Sequence, residues 1–317
     1  MLIPVIRSAK ELVERAVAIA GEGRKKTVAV AAAQDVDVIG AVSRAREEGF
    51  LDAILIGDKE IIEKLAAENS IDIAGMEIID RKNVTEAAHY AASLASQKKA
   101  DAIMKGFLPT SALLKVVLDK QYGLRGANTL SHCAVCEIPG YHKMLNFTDG
   151  GMVVKPDVDQ KFQILQNAVL VARALGLSPV KIALSAATES ITDKISHIIS
   201  DVDEIRPRAE EELADVAVQG PLSLDLATSK AAAAALGLEG PVVGEADIYL
   251  VNSIEEANIV VKSLIQFAGA IFCGVIVGAR VPVSLVSRTD TVMNKKSSLA
   301  LACVVADYYR QNKVWED

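Results

Sequence analysis

The stretch LDAILIG, residues 51–57, is the clearest guide to the fold of this chain. It is a short, mostly apolar run that ends in glycine, and ADAIMKG at residues 100–106 shares its Asp-Ala-Ile-x-x-Gly pattern. A bounded run of this kind is typical of a buried β-strand in a parallel sheet. The two segments therefore predict two equivalent strand ends. They do not predict a repeat architecture, because no other segment recurs at a fixed period.

Segments with helical periodicity alternate with strand-like runs on either side of this stretch. The predicted strands are residues 27–33, 51–57, 77–80 and 101–106, and the predicted helices are residues 37–48, 59–68, 84–97 and 110–120. This order predicts a parallel sheet wound with helices. Aromatic residues make up only 4% of a chain that is 51% hydrophobic, so alanine and aliphatic side chains must form the core.

The length of 317 residues predicts about two domains. The alternation breaks at residues 131–147, where two strand-like runs follow each other, separated by Pro139-Gly140. A second wound region follows, and the chain closes with an apolar strand at residues 282–286 and a helix at residues 296–309. Because no linker rich in Gly, Ser or Pro appears, we expect two closely packed domains with a cleft between them.

Charge and hydropathy argue against several functional classes. The net charge is −7 and no long basic block interrupts it, so a nucleic-acid partner is not expected. The most apolar run, residues 267–279, is shorter than the ~20 residues that span a bilayer, and the N-terminus lacks a signal-peptide core. We therefore expect a cytoplasmic protein that does not enter membranes.

Cys133 and Cys136 form a C-x-x-C pair next to His132. Such a pair can indicate a metal or redox site, but no second pair follows and the surrounding residues 130–138 resemble a strand. Buried cysteines that act as small apolar side chains are the favoured interpretation. No metal site is predicted, and the chain has neither a dinucleotide-binding fingerprint nor a phosphate-binding P-loop.

Ligands bind beyond the carboxyl ends of strands in wound α/β sheets, so the loops there are candidate sites. Lys105 and Gly106 end one predicted strand, and Thr110 and Ser111 stand where the next helix begins, a position suited to an anion. Taken alone, this loop favours an ordinary helix cap. Asp149, on a Gly-Gly turn, is a weaker candidate, and a plain turn is its alternative.

The densest candidate is the segment Ser287-Arg288-Thr289-Asp290-Thr291, which directly follows the last predicted strand. It combines hydroxyls, a guanidinium and a carboxylate within five residues, and Lys295 lies just beyond. The guanidinium fork matches phosphate geometry, and hydroxyls add donors. The alternative is a solvated loop that caps a helix. The position of this segment at a strand end and its density of polar groups favour a binding or catalytic role.

Four segments, in this order and spacing, resemble the phosphate acetyl/butyryltransferase family over residues 9–309. They are Lys-Gly-x-x-x-Thr-Ser at residues 105–111, Asp-Gly-Gly…Lys-Pro-Asp at residues 149–157, Gln-Gly-Pro-Leu…Asp at residues 219–225, and Val-Pro…Ser-Arg-x-Asp…Lys…Ser-x-Ala-x-Ala at residues 281–302. The last of these is the most specific.

The resemblance implies two doubly wound, three-layer α/β domains with a cleft between them, as in isocitrate and isopropylmalate dehydrogenases. Residues 1–146 and 286–317 would form the first domain, and residues 147–285 an inserted second domain. The implied reaction converts acyl-CoA and inorganic phosphate into acyl phosphate and CoA. Coenzyme A is then a substrate or product, and neither a metal nor a bound organic cofactor is implied. The resemblance also implies a homodimer.

Residue roles follow from the same resemblance. Arg288 would hold phosphate and the developing negative charge, and Ser287 would donate to the thioester. Thr110 and Ser111 match the hydroxyl loop on the phosphate side. The remaining predicted substrate-binding residues are Lys105, Gly106, Asp149 and Lys295.

Acetyl-specific family members carry an aspartate, proposed as the base toward the CoA thiol, where this chain has Asn294. An amide cannot act as a base, and Asp290 and Lys295 instead match the butyryl-type pattern. The sequence thus favours a butyryl or branched acyl group, with Asp290 as the candidate base. Three alternatives stay open: a phosphate acetyltransferase, a non-catalytic or regulatory relative that binds CoA or acyl phosphate, and a dehydrogenase or acyl-phosphate synthase of similar fold.

Overall fold

The computed structural model describes residues 4–189 and 196–315. The chain forms two compact units. The terminal unit comprises Ala9–Ala127 and Phe272–Asp317, and the central unit comprises Met1–Ser8 and Asn128–Ile271. Each unit contains helices wound around a largely parallel sheet, so the predicted α/β fold class is confirmed.

The first segment of the terminal unit alternates helices and strands as predicted. Its elements are α1 (Ala9–Ile19), β1 (Lys26–Ala31), α2 (Val36–Glu47), β2 (Leu51–Gly57), α3 (Lys59–Glu68), β3 (Glu77–Asp80), α4 (Val84–Ser96), β4 (Ala102–Lys105) and α5 (Thr110–Val117). The central unit follows, with β5 (Ser131–Glu137), β6 (Met144–Thr148), α6 (Val158–Ala174), β7 (Val180–Ser185), α7 (Ser196–Glu212), β8 (Val216–Leu222), α8 (Leu224–Thr228), α9 (Lys230–Ala235), β9 (Ile248–Leu250) and α10 (Ile254–Ala268). The terminal unit resumes with β10 (Ile271–Val277), β11 (Val283–Ser284) and α11 (Val292–Gln311).

The strands of the terminal unit are ordered β3-β2-β1-β4-β11-β10. Strands β1 to β4 pair in parallel, β11 pairs in parallel with β4, and β10 is antiparallel to β11. The carboxyl ends of β1, β4 and β11 are therefore neighbours at one edge of the sheet. This edge carries most of the residues predicted to be functional.

Helix α11 is the most deeply buried helix of the terminal unit. It packs between α1 and α2 and against β1, β4 and β11. Thr291 caps its amino end by accepting the Asn294 N–H at 3.1 Å, so the helix begins at Val292 rather than at the predicted residue 296. Its first turn is therefore set directly beneath the polar segment that follows β11.

The strands of the central unit are ordered β5-β6-β9-β7-β8. Strands β5 and β6 form an antiparallel hairpin, and β6, β9, β7 and β8 are parallel neighbours. Gln219–Leu222, the first part of the Gln-Gly-Pro-Leu segment, forms the end of β8.

The divisions between the units lie after residues 127 and 271, earlier than the predicted domain boundaries at 146/147 and 285/286. Strand pairing accounts for the difference. A division at 146/147 would cut β6 and separate β5 from its hairpin partner. A division at 285/286 would separate β11 from β4, with which it pairs.

Cys133 and Cys136 are buried within β5, and neither forms a disulfide. Three positions apart on a strand, they point to opposite faces and cannot converge on one ion. Burial raises the pKa of the Cys133 thiol to about 12. Across residues 4–189 and 196–315, no group of three or more His, Cys, Asp or Glu side chains is placed to hold a metal. Over the same ranges, none of the helices is both long and apolar enough for a bilayer span.

Candidate active site

The loop after β4 passes unusually close to the end of β1. The Gly106 N–H donates to the Ala31 carbonyl oxygen at 2.9 Å, and the Phe107 N–H donates to the Ala32 carbonyl oxygen at 2.6 Å. A Cβ at Gly106 would lie 2.1 Å from the Ala32 oxygen. Glycine is therefore required here by close approach of two backbones, which fixes the path of the predicted anion loop.

Lys105 is a buried cation at the end of β4, with 6% of its surface exposed. Its ammonium donates to the carbonyl oxygens of Gly106 and Leu108, both at 3.3 Å. Burial and the positive charges of Arg288 and Lys295 lower the pKa of Lys105, against the opposing effect of Asp35. The site thus gathers three cations, and their mutual repulsion is relieved by an anion.

The guanidinium of Arg288 lies over the ring of Phe107, 5.0 Å from its centroid. This cation–π contact joins the segment after β11 to the loop after β4. Arg288 is otherwise exposed, so the ring fixes its position while its donors stay available. Sequence reasoning missed Phe107, because an aromatic residue in a polar loop gives no signal of what will stack on it.

The predicted Ser-Arg-Thr-Asp segment is a tight turn stabilised from within. The Ser287 N–H donates to Asp290 Oδ2 at 2.6 Å, and the Asp290 N–H donates to the Ser287 carbonyl oxygen at 3.2 Å. The hydroxyls of Ser287 and Thr289 are hydrogen-bonded at 3.1 Å. Ser287, Arg288 and Thr289 are exposed, so the turn presents two hydroxyls and a guanidinium to solvent.

Lys295 lies beneath this turn and is 1% exposed. Its ammonium donates to the carbonyl oxygens of Asp290 at 2.5 Å and Arg288 at 3.4 Å, and lies 3.6 Å from Asp37 Oδ2. Lys295, which the sequence predicts to bind the substrate, therefore binds the backbone of the turn in this structure. Asp37, on α2, was not singled out from the sequence, since only the packing of α2 against α11 brings it near.

Thr110 and Ser111 occupy the first turn of α5. The helix cap is Pro109, which makes no side-chain capping bond, so the alternative that Thr110 or Ser111 is the cap is wrong. The N–H groups of Ala112 and Leu113 bond back to the Pro109 carbonyl. The two hydroxyls thus lie at a helix amino terminus, where N–H groups and the helix dipole favour an anion.

Asp149 belongs to the central unit and is 2% exposed. Its carboxylate accepts the N–H groups of His132, Gly151, Met152 and Val153 at 2.8–3.1 Å. Burial raises the pKa of Asp149, and these four hydrogen bonds act in the opposite direction. In the structure the carboxylate holds the Gly-Gly turn in place, and its role toward a substrate stays a prediction.

A second polar cluster of the central unit was not predicted. Lys161 Nζ donates to Asn252 Oδ1 at 2.9 Å, and Asn252 Nδ2 donates to the Ser185 carbonyl oxygen at 3.1 Å. Ser185 also hydrogen-bonds Glu256. Ser185 ends β7 and Asn252 follows the carboxyl end of β9, while Lys161 and Glu256 reach them from α6 and α10. The sequence signal for this cluster was a lysine among the apolar residues of α6. In the structure Lys161 is only 6% exposed, which is unusual for lysine.

The structure brings eight of the nine predicted site residues to the terminal unit. They are Lys105, Gly106, Thr110, Ser111, Ser287, Arg288, Asp290 and Lys295. They lie on or beside two loops that leave adjacent parallel strands, and the Arg288–Phe107 contact connects those loops. The arrangement is a cationic, hydroxyl-rich surface able to bind a phosphate group and stabilise an oxyanion.

Comparison with known proteins identifies the class to which this site belongs. The family model described as "Phosphate acetyl/butaryl transferase" matches residues 9–90 and 81–303. The chain belongs to this family.

Among its relatives, a probable phosphate butyryltransferase of Bacillus subtilis is 41% identical over 286 residues, covering 90% of this chain and 95% of that protein. A phosphate butyryltransferase of Clostridium acetobutylicum is 38% identical over 281 residues, covering 89% and 93%. The crystal structure of a branched-chain phosphotransacylase from Enterococcus faecalis superimposes with a TM-score of 0.79 at 33% identity, covering 89% of this chain and 99% of that one.

Proposed function

We propose that this protein transfers a short acyl group between coenzyme A and inorganic phosphate, giving acyl phosphate and CoA from acyl-CoA and phosphate. The observation that carries the proposal is the gathering of Lys105, Arg288 and Lys295 with exposed hydroxyls at one edge of the terminal sheet. An inorganic anion neutralises such a site. Family membership supports the same reaction.

In the proposed reaction a phosphate oxygen attacks the thioester carbonyl, forming a C–O bond and a tetrahedral oxyanion. Collapse of this intermediate breaks the C–S bond and releases CoA as thiolate. Arg288 neutralises the oxyanion and the phosphate, and the Ser287 hydroxyl donates to the thioester. Both side chains are exposed on a turn whose shape is fixed by hydrogen bonds, so they are preorganised for this role.

Phosphate is proposed to bind between Lys105 and the first turn of α5. Thr110 and Ser111 supply hydroxyls and backbone N–H groups there, while Gly106 allows the loop to stay close to β1. Lys295 contributes its charge from beneath the turn. Asp149 is retained as a substrate-binding candidate of the central unit, and Asp290 as the sequence-based candidate for the general base.

A butyryl or branched acyl group is proposed in preference to acetyl. Asn294 occupies the position where acetyl-type members carry an aspartate, and Asp290 and Lys295 follow the butyryl-type pattern. The names of the Bacillus, Clostridium and Enterococcus relatives support this preference. A phosphate acetyltransferase is the alternative within the same reaction class.

The direct test is phosphate-dependent CoA release from a series of acyl-CoAs with two to five carbons, including branched ones. We expect kcat/KM to be highest for four- or five-carbon groups, and arsenate to replace phosphate. Ser287→Ala and Arg288→Met should lower kcat/KM at least about a hundredfold. Ser263→Ala, an exposed serine on α10, is the matched control. CoA binding without turnover of any member would instead identify a non-catalytic relative.

A homodimer and a cytoplasmic location are part of the same proposal. Light scattering coupled to size-exclusion chromatography gives the oligomeric state, and twice the monomer mass of 33.6 kDa is the expected result. Elution at the monomer mass across the concentration range would contradict the dimer.

A further inference from the structure

Asn294 stands at the centre of a hydrogen-bonded chain that connects β10 to the Ser-Arg turn. Its side-chain oxygen accepts the N–H of Phe272 at 3.2 Å, and its side-chain nitrogen donates to Asp290 Oδ1 at 3.4 Å. The residue is 4% exposed. An amide is the group that can accept on one side and donate on the other.

Asp290 continues this chain into the turn. While Oδ1 receives the Asn294 amide, Oδ2 receives the Ser287 N–H at 2.6 Å. Each carboxylate oxygen therefore has a partner within the protein. A carboxylate engaged on both oxygens is well suited to fixing the backbone at Ser287 and poorly placed to take a proton from a substrate.

We propose that Asn294 is a positioning residue, which acts through Asp290 to hold Ser287 and Arg288 in their working geometry. Asp290 then serves as the link between Asn294 and the turn rather than as the general base. This inference rests on the proposed function for its catalytic consequence. Its structural content, a directional Phe272–Asn294–Asp290–Ser287 chain, is independent of the reaction.

The direction of the chain explains why an aspartate does not fit at position 294. Asn294→Asp would keep the acceptor for Phe272 but would place a second carboxylate against Asp290. Asp290→Asn fails in the opposite way, because the new amide nitrogen would face either the Asn294 amide nitrogen or the Ser287 N–H, and each of these is a donor. Turning the Asn294 amide over would not help, since the Phe272 N–H requires an oxygen.

Exchanging the two residues restores the chain. With Asn at 290 and Asp at 294, the carboxylate accepts from Phe272 and from the new amide, whose own oxygen accepts the Ser287 N–H. The singles and the reciprocal double variant therefore form a complete double-mutant cycle.

Protonation provides an independent signature of Asn294→Asp. A protonated carboxyl can donate to Asp290 as the amide does. Repulsion within the pair raises the pKa of one carboxyl in the folded state. The loss of stability is then complete above that raised pKa, and it fades as the pH falls toward the ordinary value of about 4. The charged groups next to the pair are unchanged by the substitution: Arg288 in the same turn, Lys295, which donates to the Asp290 carbonyl oxygen, and Asp37 beside Lys295.

The test compares Asn294→Asp with wild type and with Asn258→Asp, which adds the same charge at an exposed position of α10. At about pH 8, we expect Asn294→Asp to lower Tm by at least about 3 °C and kcat/KM by at least about tenfold. Both deficits should shrink as the pH is lowered toward about 5.5, because one carboxyl of the pair becomes protonated. Asn258→Asp should show neither deficit.

The reciprocal double variant should regain both Tm and kcat/KM relative to either single variant. Recovery of Tm without recovery of turnover would overturn the proposal and return Asp290 to the role of base. Turnover by Asn294→Asp equal to or above wild type at every pH would also overturn it. If the wild-type protein has no turnover, the proposed function fails. The pH dependence of Tm for Asn294→Asp then still decides whether the hydrogen bonds from Phe272 through Asn294 and Asp290 to Ser287 are present.

Discussion

The buried ammonium of Lys295 donates to the carbonyl oxygen of Asp290 at 2.5 Å, which makes a lysine of α11 the support of the turn after β11. Because this lysine is 1% exposed, the interaction is not weakened by solvent as a surface pair would be. The ammonium therefore lies on the buried side of the turn, whereas the side chains of Ser287 and Arg288 are exposed.

Lys295→Met should therefore damage the turn more than it damages anion binding. Two loop carbonyls lose their donor, so we expect the free energy of unfolding to fall by about 1–3 kcal/mol. We also expect kcat to fall by a larger factor than the factor by which KM for phosphate rises. Denaturant unfolding and steady-state kinetics measure the two effects. Lys296→Met is the control, since that neighbour pairs with Glu48 nearer the surface. A change confined to KM would show that Lys295 contacts phosphate directly.

Lys105 should make phosphate binding sensitive to alkaline pH. Its pKa lies below the ordinary 10.5 because the site is buried and cationic, so its charge is lost earlier than that of a surface lysine. We expect KM for phosphate to rise as pH increases through the lowered pKa. Lys105→Arg, which keeps its charge, should flatten this dependence in pH-resolved kinetics. An identical pH profile for the two proteins would contradict the assignment.

The same lowered pKa affects stability. The unfolded chain binds a proton at Lys105 more tightly than the folded protein does, so the folded state gains stability as pH rises from the lowered pKa toward 10.5. Phosphate should oppose this trend by favouring the charged lysine. Thermal melts with and without phosphate should therefore differ most below the lowered pKa. Lys105→Met should reduce that difference.

Phe107 should matter for turnover although it contacts no reacting atom in the proposed mechanism. Phe107→Ala removes the surface on which Arg288 rests, and a cation–π contact at an exposed site is worth about 0.5–1 kcal/mol. We expect a severalfold fall in kcat/KM with little change in Tm, since the ring is 48% exposed. Phe107→Tyr keeps an aromatic face and should retain activity. Equal losses in both variants would exclude stacking as the cause.

Asp149→Ala should destabilise the central unit by about 2–4 kcal/mol, because four backbone N–H groups lose their shared acceptor. Denaturant titration measures this loss. Asp159→Ala is a suitable control, since Asp159 is exposed and forms a surface pair with Arg208. If Asp149→Ala proved as stable as wild type but raised KM, Asp149 would be a substrate ligand rather than a structural residue.

The sequence was most informative where a single strand end carries its own chemistry. The sequence predicts the loop at Gly106 after β4 and the cluster Ser287–Asp290 after β11. In both places an apolar strand, a residue that ends it and polar residues follow one another along the chain. Parallel pairing then brings those ends together without further information. The edge of the sheet that holds the candidate site could be predicted for this reason.

Roles that depend on packing could not be predicted in the same way. The predicted helix begins at residue 296, which leaves Asn294 and Lys295 in a loop. Only the burial of α11, which begins at Val292 and packs between α1 and α2, turns them inward. The four backbone N–H groups that donate to Asp149 likewise carry no sequence signal. The domain boundaries were placed later than the unit divisions because β5 and β11 are assigned by their pairing partners rather than by their neighbours in the chain.

The position of β11 in the terminal sheet has a consequence for biosynthesis. This short strand lies between β4 and β10, and α11 behind it covers β1 and β4, yet both are translated after the whole central unit. A nascent chain that ends before them exposes the edge of β4 and the apolar face of the sheet. The terminal unit can therefore close only after β11 and α11 have left the ribosome, and until then an unpaired strand edge and an apolar face favour aggregation.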